Sequence, residues 1–544
     1  MSKIFSGRQK NLTSYNGDLA RFRLNAAARI HFSRMKINSS TFRKILLSTV
    51  VCGLATYTAR PGECGDTPPR PHVLFIAIDD LRPALGCYGD ALARTPNIDA
   101  LASRARQFNR AYCQQAVCGP SRASLLTGRL PDATRVWHNR NRFRVALPEN
   151  VTLPELFKNH GYHTQSFGKI FSGDPREEDP QSWSVPAILR GKGWRNYALT
   201  ESRSDRKKGV ATENAVVNDD RYPDGKITEL AVETMEEIAG RQDRQPFFLA
   251  VGYFKPHLPF SAPRKYWERH DPREFVLGDQ TERIKLAPKL AYHSHRELGG
   301  YTDIPPNEVV SPKQASHLRH GYYACVSYID AQVGRLLAAL KRLGLEDDTI
   351  VVVWGDHGFA LGEGDRWCKG TNFELDTRVP LIIRTPQMQH PGESTEALTE
   401  LVDLYPTLAE LAGLKLPQQL DGRSLVPILK DPMSQGRNVT LSQFARPFKR
   451  ESPQQMGYSL RTATHRYTRW IQWDTRETIA EELYDYSHLD GASFASNSLL
   501  EEQNLVSDPE AESIRDQLRR TMDELLAQRS PEFQGRKPPS TNTK

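Results

Sequence analysis

Two uninterrupted apolar runs constrain the fold of this chain more than any other feature. Residues 73–78 and 350–354 contain no polar side chain. A strand that is apolar on both faces is typical of a parallel sheet covered on both sides by helices. Residues 315–343, just before the second run, repeat apolar side chains at three- and four-residue steps, which predicts a helix. The sequence therefore predicts an α/β fold built on a largely parallel sheet.

Each apolar run is followed by polar side chains of the kind that bind cations. Asp79 and Asp80 follow the first run, and Asp356 and His357 follow the second. Ligands of open α/β sheets bind outside the carboxyl ends of the strands, so we expect these residues to meet. Adjacent carboxylates repel each other, and a hard cation such as Ca²⁺ would offset that repulsion. For either pair taken alone, a solvated turn or a hydrogen-bonded histidine is the alternative.

A cysteine, Cys118, stands where the pattern changes from a loop to a helix. Pro120 suits the first helical turn, and Gly128 can end the helix in the left-handed conformation. The backbone N–H groups of such a helix start favour an anion, and Arg122 adds a fork-shaped donor. A buried structural cysteine is the alternative. The cysteines are scattered without a Cys-x-x-Cys pair, so no zinc site is suggested and disulfide pairing stays open.

The positive charge of the chain is concentrated in its first residues. The formal net charge is +8, and residues 1–55 contribute +9 of it, which leaves −1 for the rest. A near-neutral remainder argues against a nucleic-acid partner. Residues 45–55 form an apolar run that follows basic residues and is too short to span a bilayer. We therefore interpret residues 1–59 as a leader with an export signal, with Met35 as a possible true start, which predicts a periplasmic or secreted protein without a stable membrane anchor.

The rest of the 544 residues divides by composition. A Pro/Gly-rich linker is predicted at 60–70, a main domain at 71–432, a smaller subdomain at 433–528 and a disordered tail at 529–544. Aromatic, partly alternating runs in the smaller subdomain predict antiparallel strands, followed by a helix near its end. Two long polar segments in the main domain, 171–224 and 261–312, are expected to wall a substrate pocket.

Cys118-Gly119-Pro120-Ser121-Arg122 resembles the Cys-x-Pro-Ser-Arg signature of the type I, formylglycine-dependent sulfatases. The order of Asp79-Asp80, Gly168-Lys169, Lys255-Pro256-His257, Asp356-His357 and Lys369 is similar to that family as well, and the local runs are most similar to its iduronate-2-sulfatase branch. The resemblance implies an alkaline-phosphatase-like fold. In that fold a large mixed, mostly parallel sheet lies between helices, and a smaller C-terminal α+β subdomain contains an antiparallel sheet.

The resemblance also implies roles for single residues. A formylglycine-generating enzyme would oxidise Cys118 to Cα-formylglycine, whose hydrate attacks the sulfate ester. One divalent cation, calcium in most relatives, would be held by Asp79, Asp80, Asp356, His357 and the modified Cys118. Arg122 would steady the formylglycine, Lys169 and Lys369 would bind the sulfate, and His257 would protonate the leaving oxygen. The implied substrate is a sulfated carbohydrate, with a uronic acid as one possibility.

One departure from the family pattern keeps other functions open. Sulfatases typically show Lys-x-x-His at the first lysine, and here Ser172 takes the place of that histidine. Serine does not accept a proton near neutral pH as imidazole does. A catalytically weak protein that binds sulfated glycans is therefore one alternative. A phosphoester or phosphonate hydrolase of the same superfamily is the other.

Overall fold

The computed structural model of the chain describes residues 70–172, 178–188, 197–204, 208–242, 245–277, 281–293, 297–305, 309–448, 452–489 and 500–530. The predicted leader, the linker up to residue 69 and the tail beyond residue 530 lie outside these ranges, so they stay predictions. Among the described residues, no helix is both long and apolar enough to cross a bilayer.

The elements are numbered in chain order. The strands are β1 His72–Ile78, β2 Arg106–Tyr112, β3 His163–Gly168, β4 Thr212–Glu213, β5 Phe247–Tyr253, β6 Phe260–Ser261, β7 Thr349–Gly355, β8 Ala360–Leu361, β9 Trp367–Cys368, β10 Arg378–Arg384, β11 Ser394–Thr395, β12 Thr399–Glu400, β13 Thr440–Arg446, β14 Gln455–Arg461, β15 His465–Gln472 and β16 Thr478–Asp485. The α-helices are α1 Pro96–Ala102, α2 Cys118–Thr127, α3 Pro131–Thr134, α4 Phe143–Ala146, α5 Leu153–Asn159, α6 Pro223–Ala239, α7 Arg264–Trp267, α8 Pro312–Arg342, α9 Glu374–Thr377, α10 Leu404–Leu411, α11 Val426–Lys430 and α12 Glu512–Arg529.

The large sheet has the strand order β11-β2-β10-β7-β1-β5-β3, and β12 also pairs with β2. Strands β7, β1, β5 and β3 are parallel neighbours, whereas β10 runs antiparallel to both β7 and β2. The sheet is therefore mixed and mostly parallel, which confirms the predicted fold class. Strand β10 is absent from our sequence predictions. Its register shifts between Val379 and Leu381, where Pro380 lacks the N–H that a regular ladder needs.

The position of β1 in the middle of the sheet, with a buried core on each face, explains why its sequence is apolar throughout. Leu74, Ile76 and Ile78 are buried in one core, which the helices α6 and α8 cover. Val73 and Phe75 belong to a second core on the opposite face, which the helices α2, α5 and α10 cover. Because alternate side chains of a strand point to opposite faces, a polar residue at any of these positions would be buried without a partner.

A second sheet follows in the chain, with the antiparallel order β13-β14-β15-β16. Leu518, Met522 and Leu526 of α12 share a buried core with apolar side chains of this sheet. The carboxylate of Asp132 joins the sheet to the rest of the molecule, because it accepts hydrogen bonds from Tyr458 Oη at 2.7 Å and from Gln443 Nε2 at 2.8 Å. The antiparallel C-terminal sheet is thus confirmed, while the limits 433–528 stay a prediction.

Glu482 in β16 makes the stability of this sheet depend on pH. Burial raises the pKa of this carboxyl from its ordinary 4.5 to about 7, although Tyr484 and Trp470 donate to it. The folded state therefore binds more protons than the unfolded state between about pH 4.5 and 7. The stabilisation that the Glu482 carboxyl contributes is therefore present in full below about pH 4.5, and it is lost as the pH rises to about 7 and above.

We expect Glu482→Gln to remove the loss of stability that the wild type shows between about pH 4.5 and 7. The variant should exceed the wild type in unfolding free energy at pH 8 by on the order of 1–3 kcal/mol, with a smaller or reversed difference at pH 5. Thermal unfolding of both proteins at the two pH values measures this. An equal difference at both values would contradict the prediction.

Candidate active site

Four parallel strands bring the predicted site residues to one edge of the large sheet. Asp79 follows β1, Asp356 follows β7, Lys169 follows β3, and His257 lies four residues beyond the end of β5. The carboxyl ends of parallel neighbours meet at the same edge, which is where ligands of α/β sheets bind. Helix α2 begins at the same place with Cys118 as its first residue.

Four buried side chains form a compact set of possible ligands at this edge. Ligand atoms of Asp79, Asp80, Cys118 and His357 all lie within 4.8 Å of one another. Cys118 Sγ is 3.3 Å from both Asp79 Oδ1 and His357 Nε2, and His357 Nε2 is 3.4 Å from Asp80 Oδ1. His357 Nδ1 is 2.9 Å from the carbonyl oxygen of Gly358, so Nδ1 carries a proton and Nε2 is the ring nitrogen that faces the set.

This donor set fits a divalent cation. Two adjacent, fully buried aspartates supply the hard oxygen ligands that Ca²⁺ prefers, and a cation would offset their mutual repulsion. Asp356 Oδ1 lies beside the set, 3.6 Å from His357 Nε2. It also accepts hydrogen bonds from the backbone N–H groups of Asp80 and His357, both at 3.0 Å. These two bonds use both lone pairs of Oδ1, and Oδ2 accepts from Arg122 Nε at 2.8 Å, so Asp356 lies beside the set of four rather than within it.

The two predicted lysines each pair with one of the adjacent aspartates. Lys169 Nζ donates to Asp79 Oδ2 at 2.6 Å, and Lys369 Nζ donates to both oxygens of Asp80 at 2.7 and 2.8 Å. The direction in which the chain leaves β3 towards Lys169 depends on Gly168, which has a φ of +74°. A Cβ at this position would also lie only 2.2 Å from the carbonyl oxygen of Gly252. Only glycine therefore fits this end of β3.

The pKa values of the two aspartates are shifted in opposite directions. Burial alone would raise the pKa of Asp79, but the charges of Lys169 and the neighbouring cationic groups outweigh it and hold this pKa well below its ordinary value. Burial raises the pKa of Asp80 to about 7 against the opposing charge of Lys369. Adjacent carboxylates in a dry site do not ionise equally, and a cation bound between them favours the charged form of both.

Arg122, in the first turns of α2, contacts residues that follow the strands β1, β3 and β7. Its Nε donates to Asp356 Oδ2 at 2.8 Å, and its Nη2 lies 3.4 Å from Asp79 Oδ1. Its Nη1 donates to the carbonyl oxygens of Lys169 and Ile170. The guanidinium thus holds two carboxylates in place beside position 118.

His257 faces the same pocket from the loop after β5. Its Nε2 lies 3.2 Å from Glu297 Oε1 and 3.9 Å from Asp80 Oδ2. Burial and the charge of Lys369 lower the pKa of His257 to about 4. A bound sulfate ester would bring negative charge next to Lys369, and this would raise the pKa of the imidazole again.

Glu297 is a site residue that the sequence analysis missed. Its Oε1 lies 3.4 Å from Lys369 Nζ as well as beside His257 Nε2. It belongs to the polar segment 261–312, and no local pattern distinguishes it from the other charged residues there. The fold alone brings it to the pocket, where it contacts two predicted site residues.

The histidines nearest to Ser172 in the sequence do not replace the missing imidazole. His163 begins β3, and its Nε2 lies 3.0 Å from Gln165 Oε1. His160 precedes the strand, and its Nδ1 lies 2.8 Å from the carbonyl oxygen of Leu156. Both stand at the amino end of β3, opposite the edge where Lys169 meets Asp79.

Comparisons with known proteins agree with this architecture. The Sulfatase family model matches residues 71–414, and a model of the N-sulphoglucosamine sulphohydrolase C-terminal region matches residues 362–528. The chain is 34% identical over 532 residues to iduronate 2-sulfatase of Homo sapiens, and the match covers 85% of this chain and 95% of that protein.

Solved structures show the same fold. A phosphonate monoester hydrolase from Silicibacter pomeroyi has a TM-score of 0.67 and 25% identity, with 86% of this chain and 97% of that chain covered. A protein in complex with its substrate D-glucosamine-2-N,6-O-disulfate has a TM-score of 0.64 and 22% identity, with 86% and 100% covered.

The fold and the edge of the sheet on which the site lies define an alkaline-phosphatase-like hydrolase. Within that class, the chain belongs to the sulfatase family. It is a sulfuric ester hydrolase, similar over most of its length to iduronate 2-sulfatases.

Proposed function

We propose that this protein is an exported sulfatase that removes sulfate from a sulfated carbohydrate, with a sulfated uronic acid as the first candidate. The proposal rests above all on the set formed by Asp79, Asp80, Cys118 and His357, whose ligand atoms lie within 4.8 Å of one another. The similarity to iduronate 2-sulfatases supports the choice of sugar. The short apolar run in the predicted leader supports export.

Position 118 would act as a formylglycine rather than as a thiol. Burial and the neighbouring Asp79 raise the pKa of the Cys118 thiol well above its ordinary value, so the thiol stays protonated and is a poor nucleophile. A hydrated formylglycine supplies two hydroxyl groups on one carbon, one to attack the sulfur and one to release the sulfate afterwards. A formylglycine-generating enzyme is therefore the partner that this proposal requires.

A divalent cation, held by Asp79, Asp80, Asp356, His357 and the oxygen at position 118, would polarise that oxygen and the sulfate. Ca²⁺ is our choice, because carboxylate oxygens dominate the set. Arg122 keeps Asp79 and Asp356 in position through the contacts at 3.4 and 2.8 Å.

The remaining residues bind the anion and move the proton. Lys169 and Lys369 place positive charge next to Asp79 and Asp80, where it would stabilise the sulfate and the charge that develops on its oxygens. His257 Nε2 is the ring nitrogen that faces the pocket, and it would donate a proton to the leaving alkoxide. Ser172 offers no comparable acceptor for the second proton transfer, which predicts slow release of sulfate.

A phosphonate monoester hydrolase is the second candidate, because a solved enzyme of that activity is 25% identical and has a TM-score of 0.67. The test uses protein co-expressed with a formylglycine-generating enzyme and assayed on matched aryl sulfate, aryl phosphate and aryl phosphonate esters. Iduronate 2-sulfate disaccharide is assayed alongside them.

We expect kcat/KM for the sulfate to exceed that for the phosphonate by about 10²-fold or more. We also expect the disaccharide to release sulfate. A preference for the phosphonate would favour the second candidate instead. Binding of sulfated disaccharide without any release would favour the glycan-binding alternative.

A further inference from the structure

The loop that carries His257 is built around a buried ammonium group. Lys255 is 1% exposed, and its Nζ donates to the carbonyl oxygens of His257 at 2.8 Å and Pro259 at 2.7 Å. A buried charge is costly unless it is hydrogen-bonded, and here two carbonyl groups of the same short loop accept hydrogen bonds from it. The side chain therefore ties the loop to itself and is shielded from the solvent.

The start of the loop has an anchor of its own. Asp224, in the first turn of α6, accepts a hydrogen bond from the backbone N–H of Phe254 at 2.6 Å. Asp224 thus holds the point where the loop leaves β5, and Lys255 holds the part that follows. Between these two anchors the peptide groups around His257 have little freedom to rotate.

The orientation of these peptide groups sets the orientation of the imidazole. His257 Nδ1 lies 2.6 Å from the carbonyl oxygen of Leu258. A carbonyl only accepts, so Nδ1 carries a proton and Nε2 is the nitrogen presented to the pocket. The two carbonyl groups that Lys255 holds stand immediately before and after that of Leu258 in the chain. Rotation of either neighbouring peptide group would turn the carbonyl of Leu258 and, with it, the ring.

We propose that Lys255 is a positioning residue for proton donation by His257. The ammonium fixes the Leu258 carbonyl, the carbonyl fixes the tautomer and direction of the imidazole, and Nε2 is thereby aimed at the leaving oxygen. This inference rests on the proposed role of His257 as the proton donor. Lys255 itself does not touch the reacting atoms, so its removal should weaken only the steps that need the proton.

Leaving-group dependence separates this role from a general structural one. A sugar alkoxide leaves only if it is protonated, whereas 4-nitrophenolate is stable enough to leave as an anion. We expect Lys255→Met, which keeps the chain length but removes the charge, to lower kcat/KM on a sugar sulfate by about 10²-fold and on 4-nitrophenyl sulfate by less than about 5-fold. The ratio kcat/KM is the readout because it reports departure of the leaving oxygen even where the later release of sulfate limits kcat. Lys265→Met, at a lysine whose side chain is 55% exposed, is the matched control and should behave as wild type on both substrates.

A double variant tests whether Lys255 acts through His257. In a His257→Ala background, Lys255→Met should cause no further loss on the sugar sulfate, because residues that act as a unit are not additive. Equal losses on the two substrates, or additive losses in the double variant, would overturn the proposal.

If Lys255→Met does not fold, Lys255→Gln, which keeps an N–H donor, should show the same leaving-group dependence in a weaker form. Failure of both variants to fold, while His257→Ala folds, would assign Lys255 to stability alone and also overturn the proposal. If the wild type prefers phosphonates, the same alkyl and aryl pair can be used as phosphonate esters, so the role of Lys255 is tested independently of the substrate class.

Discussion

Cys118→Ala is expected to lower kcat/KM on any sulfate ester by about 10⁴-fold or more, the size of loss that follows removal of a catalytic nucleophile. The reason is that alanine can neither become a formylglycine nor supply an oxygen beside Asp79 and His357, which lie 3.3 Å from Sγ. The loss should appear in kcat, because Lys169 and Lys369 remain to bind the sulfate. Steady-state kinetics on an aryl sulfate measures it.

A matched cysteine separates this loss from a general sensitivity to thiol removal. Cys87 is half-buried and lies outside the site, so Cys87→Ala should keep activity near that of the wild type. Mass spectrometry of the peptide that contains residue 118 should show the mass change of conversion to the aldehyde in the wild type and in Cys87→Ala. Full activity in a wild-type protein with an unmodified thiol would contradict the formylglycine mechanism.

Asp80→Asn is expected to have the second-largest effect, because it removes one of the two buried carboxylates of the proposed cation site. We expect the bound divalent metal to fall to trace levels and kcat/KM to fall by about 10³-fold or more. Calcium should also raise the thermal unfolding midpoint of the wild type and not that of the variant, since only a state that binds the ion is stabilised by it. Metal analysis after dialysis and thermal unfolding with and without Ca²⁺ measure both effects.

Another buried carboxylate provides the control for Asp80→Asn. Asp132 is 1% exposed and accepts hydrogen bonds from Tyr458 and Gln443 in the contact with the second sheet. Asp132→Asn should lower the unfolding midpoint but leave both the metal content and the activity of the folded protein near wild type. If Asp80→Asn keeps its metal and loses only stability, as Asp132→Asn should, the cation site is wrong.

The sequence predicted the structure best at positions where a local physical requirement, such as burial on both faces or a positive φ, restricts the type of residue. The continuous apolar run of β1 predicted a strand with two buried faces, and its alternate residues indeed pack into two different cores. Gly128 was predicted to end α2 in the left-handed conformation, and its φ is +69°. These features are local, because periodicity and backbone freedom act over a few residues.

The sequence was least informative where the partner of a side chain lies far along the chain. Lys169 and Lys369 were predicted as groups that bind sulfate, yet each also pairs with one of the two adjacent aspartates. Nearby positive charge prevails at Asp79 and lowers its pKa, whereas burial prevails at Asp80 and raises its pKa. Glu297 carried no signal of its own. Strand β10 escaped prediction because Pro380 interrupts its pattern, although it completes the sheet between β7 and β2.

The sequence by itself thus determined the class of fold, the helix that begins at Cys118 and the residue types gathered at the strand ends, because these depend on short-range hydrophobic periodicity and on a motif within one turn of helix. Only the tertiary structure decided which charges face each other. It brought Glu297 to His257 and Lys369, and it folded Lys255 back onto the carbonyl groups of its own loop. Such contacts depend on how parallel strands align their carboxyl ends and on how long loops return to that edge, and no local pattern records either.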